Sequence, residues 1–328
     1  MKTLWKEICA AIFLGAILPG MILNISAAVL KDNARQTLVS VSTEETESSV
    51  NDSVSICLRN SDGIQSQMKM NDYLTGVLLG EMPAEFEMEA LKAQAVAART
   101  YTAKAVITGG KHGDGSVCAD SACCQAYLPQ ETYLLLGGTE DNLEKIHKAV
   151  LETTGLVLVY DGSLIEATYF SCSGGSTEDA AAVWGTDYPY LQAVASPGEE
   201  EASHYSDILA YDMEVFQKKL GRKIPGSPAS WFGEVTYTPG GGVAEMMIGG
   251  ESYKGTTLRS LLGLPSTAFT AAVEGNTIVI TTRGYGHRVG MSQYGADAMA
   301  VNGSTFRQIL AHYYPGAQLI QLDQLLQK

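Results

Sequence analysis

Residues 80–101 read GEMPAEFEMEALKAQAVAARTY, and this stretch decides the fold class. Its second half is helical: Leu91, Ala95, Ala98 and Thr102 recur at helical spacing, and the many alanines let neighbours pack close. The helix is expected over about residues 88–106, with Gly109-Gly110 as its stop. Glu81 stands before Pro83 and the helix, firmly held beside apolar neighbours. Such a setting raises a carboxyl pKa and suits the group to general acid work at neutral pH. Acidic residues also gather near helix N-termini for capping and dipole reasons, which accounts for Glu85, Glu87 and Glu89. Position alone leaves both readings open for Glu81.

Working outward, a short helix is expected over 72–79, with Asp72 as N-cap and Tyr73, Val77 and Leu78 on one side. A strand over 54–58 precedes it. A third helix spans about 142–153, capped by Asp141 and closed by Gly155. Its stripe is Leu143, Ile146, His147, Val150 and Leu151, which makes His147 a core histidine without a function. From Leu156 the period becomes two, and the segments 156–159 and 164–170 flank Asp161-Gly162, a strong hairpin signal. Strands follow at 234–238, 243–248 and 277–281. Short helices lie between Asp212 and Gly221, at 257–262, and at 293–301 and 305–314. The acidic run Glu199–Glu201 reads as a solvated face. Helices first and strands later predict an α+β fold, a helical segment and a β-rich lobe forming a substrate cleft.

The chain has 328 residues, 45% of them hydrophobic, which fills a sizeable core. A net charge of −14 without any basic cluster excludes a nucleic-acid footprint. Residues 8–30 (ICAAIFLGAILPGMILNISAAVL) carry no charge and are long enough to cross a bilayer. Lys2 and Lys6 ahead of them favour a cytoplasmic N-terminus. Ser26-Ala27-Ala28 offers a cleavage site, so a removed signal peptide is the alternative. The expected organisation is a cytoplasmic N-terminus (1–7), a transmembrane anchor (8–30), a polar linker (31–53) and an exported domain (54–328).

Three further clusters carry polar chemistry. His112, Cys118, Cys123 and Cys124 share one glycine-containing loop that can fold around tetrahedral zinc, although two adjacent cysteines need a sharp bend to ligate together. A disulfide is the competing reading in an exported domain. Cys57 and Cys172 either pair or stay buried. The second cluster is YFSCSGGSTE (169–178), where Ser171 and Ser173 leave a strand into a double glycine; it reads as a ligand loop or as an ordinary turn. In the third, residues 283–296, four glycines interleave with His287, Gln293 and Tyr294, and Ser292 is placed to cap a helix. It lacks the spacing and the lysine of a phosphate loop.

Taken together, GEMPAEFEMEALKAQAVAARTY (80–101), the His112/Cys118/Cys124-Gln125 segment, YFSCSGGSTED (169–179) and TRGYGHRVGMSQYGADAMA (282–300) resemble the stage II sporulation protein D family. The resemblance covers about residues 54–320 and includes the family's N-terminal anchor. It implies a lytic transglycosylase that cleaves the MurNAc-GlcNAc bond of peptidoglycan glycan strands, peptide-stripped ones, leaving 1,6-anhydro ends. The setting implied is engulfment in endospore formation, at the engulfing septal membrane, alongside the sporulation amidase and a membrane partner. The catalytic glutamate of the family's EMP motif falls on Glu81. Some members bind zinc with a His and two Cys at the spacing of His112, Cys118 and Cys124, and several have His in place of Cys123, so the fourth ligand here stays open. The family often has another residue at Cys172.

One carboxylate suffices for such chemistry. A two-carboxylate hydrolase needs a second acid about 5 to 9.5 Å away to activate water or to attack. In the transglycosylase the muramic acid 6-hydroxyl attacks its own anomeric carbon, so Glu81 protonates the glycosidic oxygen and then accepts the 6-hydroxyl proton. Zinc would be structural, holding its loop. Ser171, Ser173, His287, Gln293 and Tyr294 form the substrate-contact set. Two rival classes remain: a non-enzymatic glycan-binding enhancer of a cell-wall amidase, as in the related amidase-enhancer proteins, and a zinc hydrolase, which the absence of an HExxH-type base disfavours.

Overall fold

The alanine-rich helix runs Met88–Thr108 and ends where Gly109 turns left-handed, at φ +88°. The computed structural model describes residues 54–326 apart from Ser61. The anchor at 8–30 and the linker at 31–53 lie outside the described residues. No described helix is long and apolar enough to cross a membrane. The fold is α+β, and none of the described sheets closes into a barrel.

Ala90, Ala93, Ala95, Ala97, Ala98 and Ala103 are all buried, because elements approach this helix from several sides. Helices Glu140–Leu151, Gln293–Val301 and Phe306–Tyr313 and strand Leu156–Tyr160 pack on it. Small side chains are what let so many elements share one axis at close-packed density. Arg99 is the exception in size. Its buried guanidinium donates to Thr153 O at 2.6 Å and Val150 O at 3.1 Å. It therefore serves carbonyls left over at the end of helix Glu140–Leu151, where the dipole favours a cation.

Helix Met70–Glu81 leaves strand Gln65–Lys69 without a break, so it starts two residues earlier than the sequence pattern suggests. Lys69 takes the N-cap position and Asp72 falls in the first turn, where its charge suits the dipole but caps nothing. Helix Glu140–Leu151 is capped by Thr139, whose hydroxyl accepts from Asn142 N, and not by Asp141. Its buried face is Ile146, Ala149 and Val150. His147, about 100° round the helix from Ile146, is exposed and is no core histidine.

A β-rich part follows. Strands Ala268–Glu274, Thr277–Arg283 and Ser206–Asp212 form one antiparallel sheet in that order, and Phe232–Tyr237, Val243–Ile248 and Glu251–Lys254 form another. Phe216, Trp231, Leu258, Ile278 and Ile280 belong to the core they share with helices Met213–Leu220 and Gly255–Leu262. Ser206–Asp212 and Ala268–Glu274 are absent from the sequence reading. Their alanines and acids depress strand propensity, and cross-strand pairing supplies what the local sequence lacks.

The Asp161-Gly162 hairpin forms with both residues at positive φ, and its second strand is only Ser163–Leu164. The chain then turns so that Tyr169–Phe170 pairs in parallel with Met291–Ser292. This pairing joins the SCSGG and GHRVGMSQYG loops. Gly290 makes it possible: at φ +83°, a Cβ there would sit 2.1 Å from Thr168 O.

A buried polar knot fastens these loops. Arg288, itself at φ +65°, donates to Ser173 O (2.8 Å), Ser176 O (2.7 Å), Gly240 O (2.8 Å) and Glu178 Oε1 (3.1 Å). Glu178 Oε1 also accepts from Thr238 Oγ1 and Gly242 N, each at 2.8 Å. Glu199 corrects the solvated reading of its acidic run: it is 1% exposed, while Glu200 and Glu201 are exposed. Its oxygens accept from the Cys172 thiol (3.1 Å), Ser173 N (2.6 Å), Gly174 N (3.2 Å), Ser173 Oγ (2.9 Å) and Ser196 Oγ. Cys57 and Cys172 are both free thiols.

Candidate active site

Glu81 is the last residue of helix Met70–Glu81, and Met82 beyond it is extended. Buried Met82, Ala84 and Phe86 clamp the exit of the chain. At the start of the next helix, Asp297 Oδ1 accepts from Glu87 N at 2.7 Å and ties the EMPAEFE segment to helix Gln293–Val301. The carboxyl accepts the Ala126 N–H on Oε1 at 2.6 Å. Gln293 and Tyr169 face it from the paired loops.

Burial of the carboxyl pushes its pKa up to about 7, opposed first by the Ala126 N–H and then by the Gln293 amide; the Tyr169 hydroxyl opposes it only when its proton is turned to the carboxyl. The position works the same way as the burial, because a helix C-terminus disfavours negative charge. Glu81 as a residue is still partly open to solvent. A carboxyl whose pKa lies near neutrality can give and take a proton. No second carboxyl acts on it among the described residues.

Gln293 opens helix Gln293–Val301, capped by Ser292, whose hydroxyl accepts from Gly295 N. It is 3% exposed, and its Nε2 lies in the field of Glu81 without completing a hydrogen bond of normal geometry. Tyr294 donates its backbone N–H to Ser171 O at 3.0 Å and sets its ring edge-on to Phe86, centroids 5.0 Å apart. Ser171 and Tyr294 therefore lie beside one another, next to Tyr169.

His287 is partly exposed between the rings of Phe170 and Trp184, 5.6 and 5.3 Å away. Burial, and then the Arg259 charge, push its pKa down to about 4. Its Nδ1 accepts from Val289 N at 3.1 Å, so at neutral pH the ring is uncharged with its proton on Nε2. The Tyr169 backbone meets the ring N–H and pulls the pKa back upward, and the neutral ring is no acid at that pH. Ser173 lies apart from the rest: it is buried, and its hydroxyl is spent on Glu199 and on Gly175 N. The structure thus gathers Glu81 and Gln293, sets Ser171 and Tyr294 close by, and places Ser173 in the polar knot.

The His/Cys loop is a neighbour of this site. Strand Val117–Cys118 pairs in parallel with Ser55–Arg59. Asp120 O accepts from both Cys123 N (3.0 Å) and Cys124 N (2.7 Å), and this turn swings adjacent thiols to one side. Lys111 Nζ donates to Cys123 O. The ligand atoms of His112, Cys118, Cys123 and Cys124 all lie within 4.8 Å of one another, a set that could hold a metal ion. Cys124 leads straight into Gln125 and Ala126, so the loop delivers the N–H that binds Glu81.

The family model for Stage II sporulation protein matches residues 59–160. Stage II sporulation protein D of Bacillus subtilis (strain 168) is 42% identical over 264 residues, 79% of this chain and 76% of the relative. Its counterpart in Bacillus amyloliquefaciens is 39% identical, covering 82% of this chain and 79% of the relative. The chain belongs to the stage II sporulation protein D family. An amidase enhancer of Bacillus subtilis (strain 168) is 30% identical over 75% of this chain and 40% of its own length.

Within this sporulation family member, sequence reasoning missed three contributors to the site. Tyr169 was in the quoted motif but was passed over for the serines behind it. Two residues along a strand share a face, so a polar ring there was a readable signal. Gln125 and Ala126 had none beyond their place after Cys124, because what they do depends on where Met70–Glu81 ends.

Proposed function

We propose that this chain is a lytic transglycosylase of peptidoglycan glycan strands, with Glu81 as both general acid and general base. The observation that carries the reading is the Glu81 carboxyl, held by the Ala126 N–H at 2.6 Å and pushed up to about 7 by burial, on a residue still partly exposed. Protonated, it gives its proton to the glycosidic oxygen; ionised, it accepts the proton of the muramic acid 6-hydroxyl as that oxygen closes on the anomeric carbon. No water is consumed, which agrees with a site where, among the described residues, no second carboxyl acts on the first. Gln293 Nε2, buried and short of a partner, is a donor for a sugar substituent. Ser171, Tyr294 and the His287 ring are the further contacts proposed, in a cleft proposed between the helical part and the β-rich part.

His112, Cys118, Cys123 and Cys124 are proposed to hold a structural zinc. Zn–N and Zn–S bonds of about 2.05 and 2.3 Å give tetrahedral edges of about 3.6 Å (N···S) and 3.8 Å (S···S). The structure has Cys124 Sγ and Cys123 Sγ at 3.6 and 3.8 Å from His112 Nε2, and 3.9 Å between the two sulfurs. Four protein ligands leave no open position, so such a metal would hold the loop under Glu81 rather than activate water. The place proposed for the chain is the engulfing septal membrane, held by the 8–30 segment with the domain outside, alongside the sporulation amidase and a membrane partner.

The test is digestion of peptide-stripped glycan strands by the purified full chain, with products read by mass spectrometry. Anhydro-ended sugars are expected from the native chain, with a loss of about 10²–10⁴-fold in Glu81→Gln. Reducing ends carrying an added water, or undiminished anhydro product in the variant, would overturn the reading. Amidase-enhancer kinship favours one other outcome: glycan binding without any cleavage, with stimulation of an amidase in its place. Metal analysis of the same samples, with Cys118→Ser beside them, should find one zinc per native chain.

A further inference from the structure

The groups around Glu81 form a hydrogen-bond chain with a direction. It starts in the long helix, where Thr102 Oγ1 donates to Ala98 O at 2.8 Å. With its only proton spent, Thr102 can serve a neighbour solely as an acceptor. That neighbour is Gln125, 2% exposed, whose Nε2 lies 2.9 Å from Thr102 Oγ1 and 3.2 Å from Tyr73 Oη. The amide group must therefore face Thr102 and Tyr73, which leaves Oε1 towards Tyr169. Tyr169 donates its hydroxyl proton to that oxygen at 2.8 Å.

A phenol has one proton. Once it is given to Gln125, Tyr169 can turn only a lone pair to Glu81. We propose that Gln125 is a positioning residue that makes Tyr169 an acceptor for the acid proton of Glu81, keeping Glu81 loaded for the first step and basic for the second. The inference rests on the reading of Glu81 as the acid and deepens it. Before cleavage, the protonated carboxyl has a hydrogen-bond acceptor beside it. After the proton has gone to the leaving oxygen, the lone pair of Tyr169 faces a carboxylate, a repulsion relieved when Glu81 takes the 6-hydroxyl proton. A phenol free to rotate would do the reverse: it would donate to the carboxylate and stabilise the spent state.

Tyr169 and Tyr73 are the titratable side chains that face this carboxyl, and Ala126 N–H and the Gln293 amide are its other polar neighbours. Both phenols have pKa values raised by burial, so neither ionises in the range where Glu81 does.

The experiment follows the Glu81 side-chain carbon by NMR through a pH titration of the full chain with ¹³C-labelled glutamate, its signal assigned by its loss in Glu81→Gln. Gln125→Leu releases the Tyr169 proton to Glu81, and the midpoint should fall by about one pH unit. Thr102→Val, which acts from the helix and leaves the cysteine loop untouched, should lower it by less, since the amide can then turn over. With Tyr169→Phe already present, adding Gln125→Leu should move the midpoint no further, which a merely structural role for Gln125 does not predict. An unchanged midpoint in folded Gln125→Leu and in Thr102→Val overturns the inference and leaves the catalytic reading standing. A shifted midpoint together with full anhydro product from Glu81→Gln does the opposite: it keeps the positioning role and sinks the catalytic reading.

Discussion

Glu81 and Glu199 are carboxylates placed by neighbouring loops, and they are treated in opposite ways. Glu199 lies in the knot with five donors turned on its two oxygens. Glu81 has one close backbone donor, an amide that stops short, and a phenol whose proton points elsewhere. Burial penalises the charged form of a carboxyl, and at Glu81 it is the largest effect. What differs is repayment. A fully served carboxylate fixes the architecture around it, whereas an under-served one is left close to exchanging its proton. Arg288, the cation of the knot, is spent on Glu178 and backbone carbonyls, and among the described residues no cation acts on Glu81, where one would hold its proton off.

The largest test of the comparison removes the cation of the knot. Arg288→Met leaves Glu178 buried without its charge partner and frees three carbonyls. Breaking such a pair costs about 3–5 kcal/mol, to be read by denaturant unfolding at pH 7. A loss below about 1 kcal/mol would mean that the knot is not what holds the loops, and the comparison would fail on its structural side.

The opposite sign is expected at Glu81. Its pKa is raised from 4.5 to about 7 in the folded chain. Below pH 4.5 both folded and unfolded states hold the proton, and the group takes nothing from stability. Between pH 4.5 and 7 the unfolded state ionises first, so stability falls as pH rises, by up to about 3 kcal/mol above pH 7. Glu81→Gln, neutral at every pH, should therefore be more stable than the native chain at pH 8 by up to that amount, and equal to it at pH 4. A variant that loses anhydro activity while gaining stability marks a functional carboxylate. One that loses both would place Glu81 with Glu199.

Much of this was legible before any coordinates. The 3.6-residue period and the glycine stops located Met88–Thr108 and Met213–Leu220 well, because alanine spacing and left-handed glycines act locally. Glu81 was legible through its EMP setting, and the His/Cys loop through ligand spacing. Glu199 was not. Three acids in a row look solvated, and the donors that bury the first of them come from residues 172–174 and 196, brought close only by the fold. Asp141 lost the cap to Thr139 for a similar reason of detail: two polar residues two positions apart can each cap, and a small shift of the helix start decides between them. Tyr169 and Gln125 matter through a proton direction, which no pattern of residue types encodes.

The smallest effect is expected at Cys172, where a thiol invites a catalytic reading that the comparison rejects. It is fully buried, and its pKa is pushed up by burial and then by the Glu199 carboxyl it donates to. A thiolate there would face that carboxyl in a closed pocket, so the sulfur is neither nucleophile nor accessible. Cys172→Ser keeps an O–H to donate to the same Oε2, and should change stability by about 1 kcal/mol or less while leaving anhydro product formation unaltered. Alkylation at pH 8 should spare Cys172 in the native chain and label it once the chain is denatured, as peptide mapping by mass spectrometry would read. Native labelling at the denatured rate would show the knot to be open, and the comparison of Glu199 with Glu81 would fail.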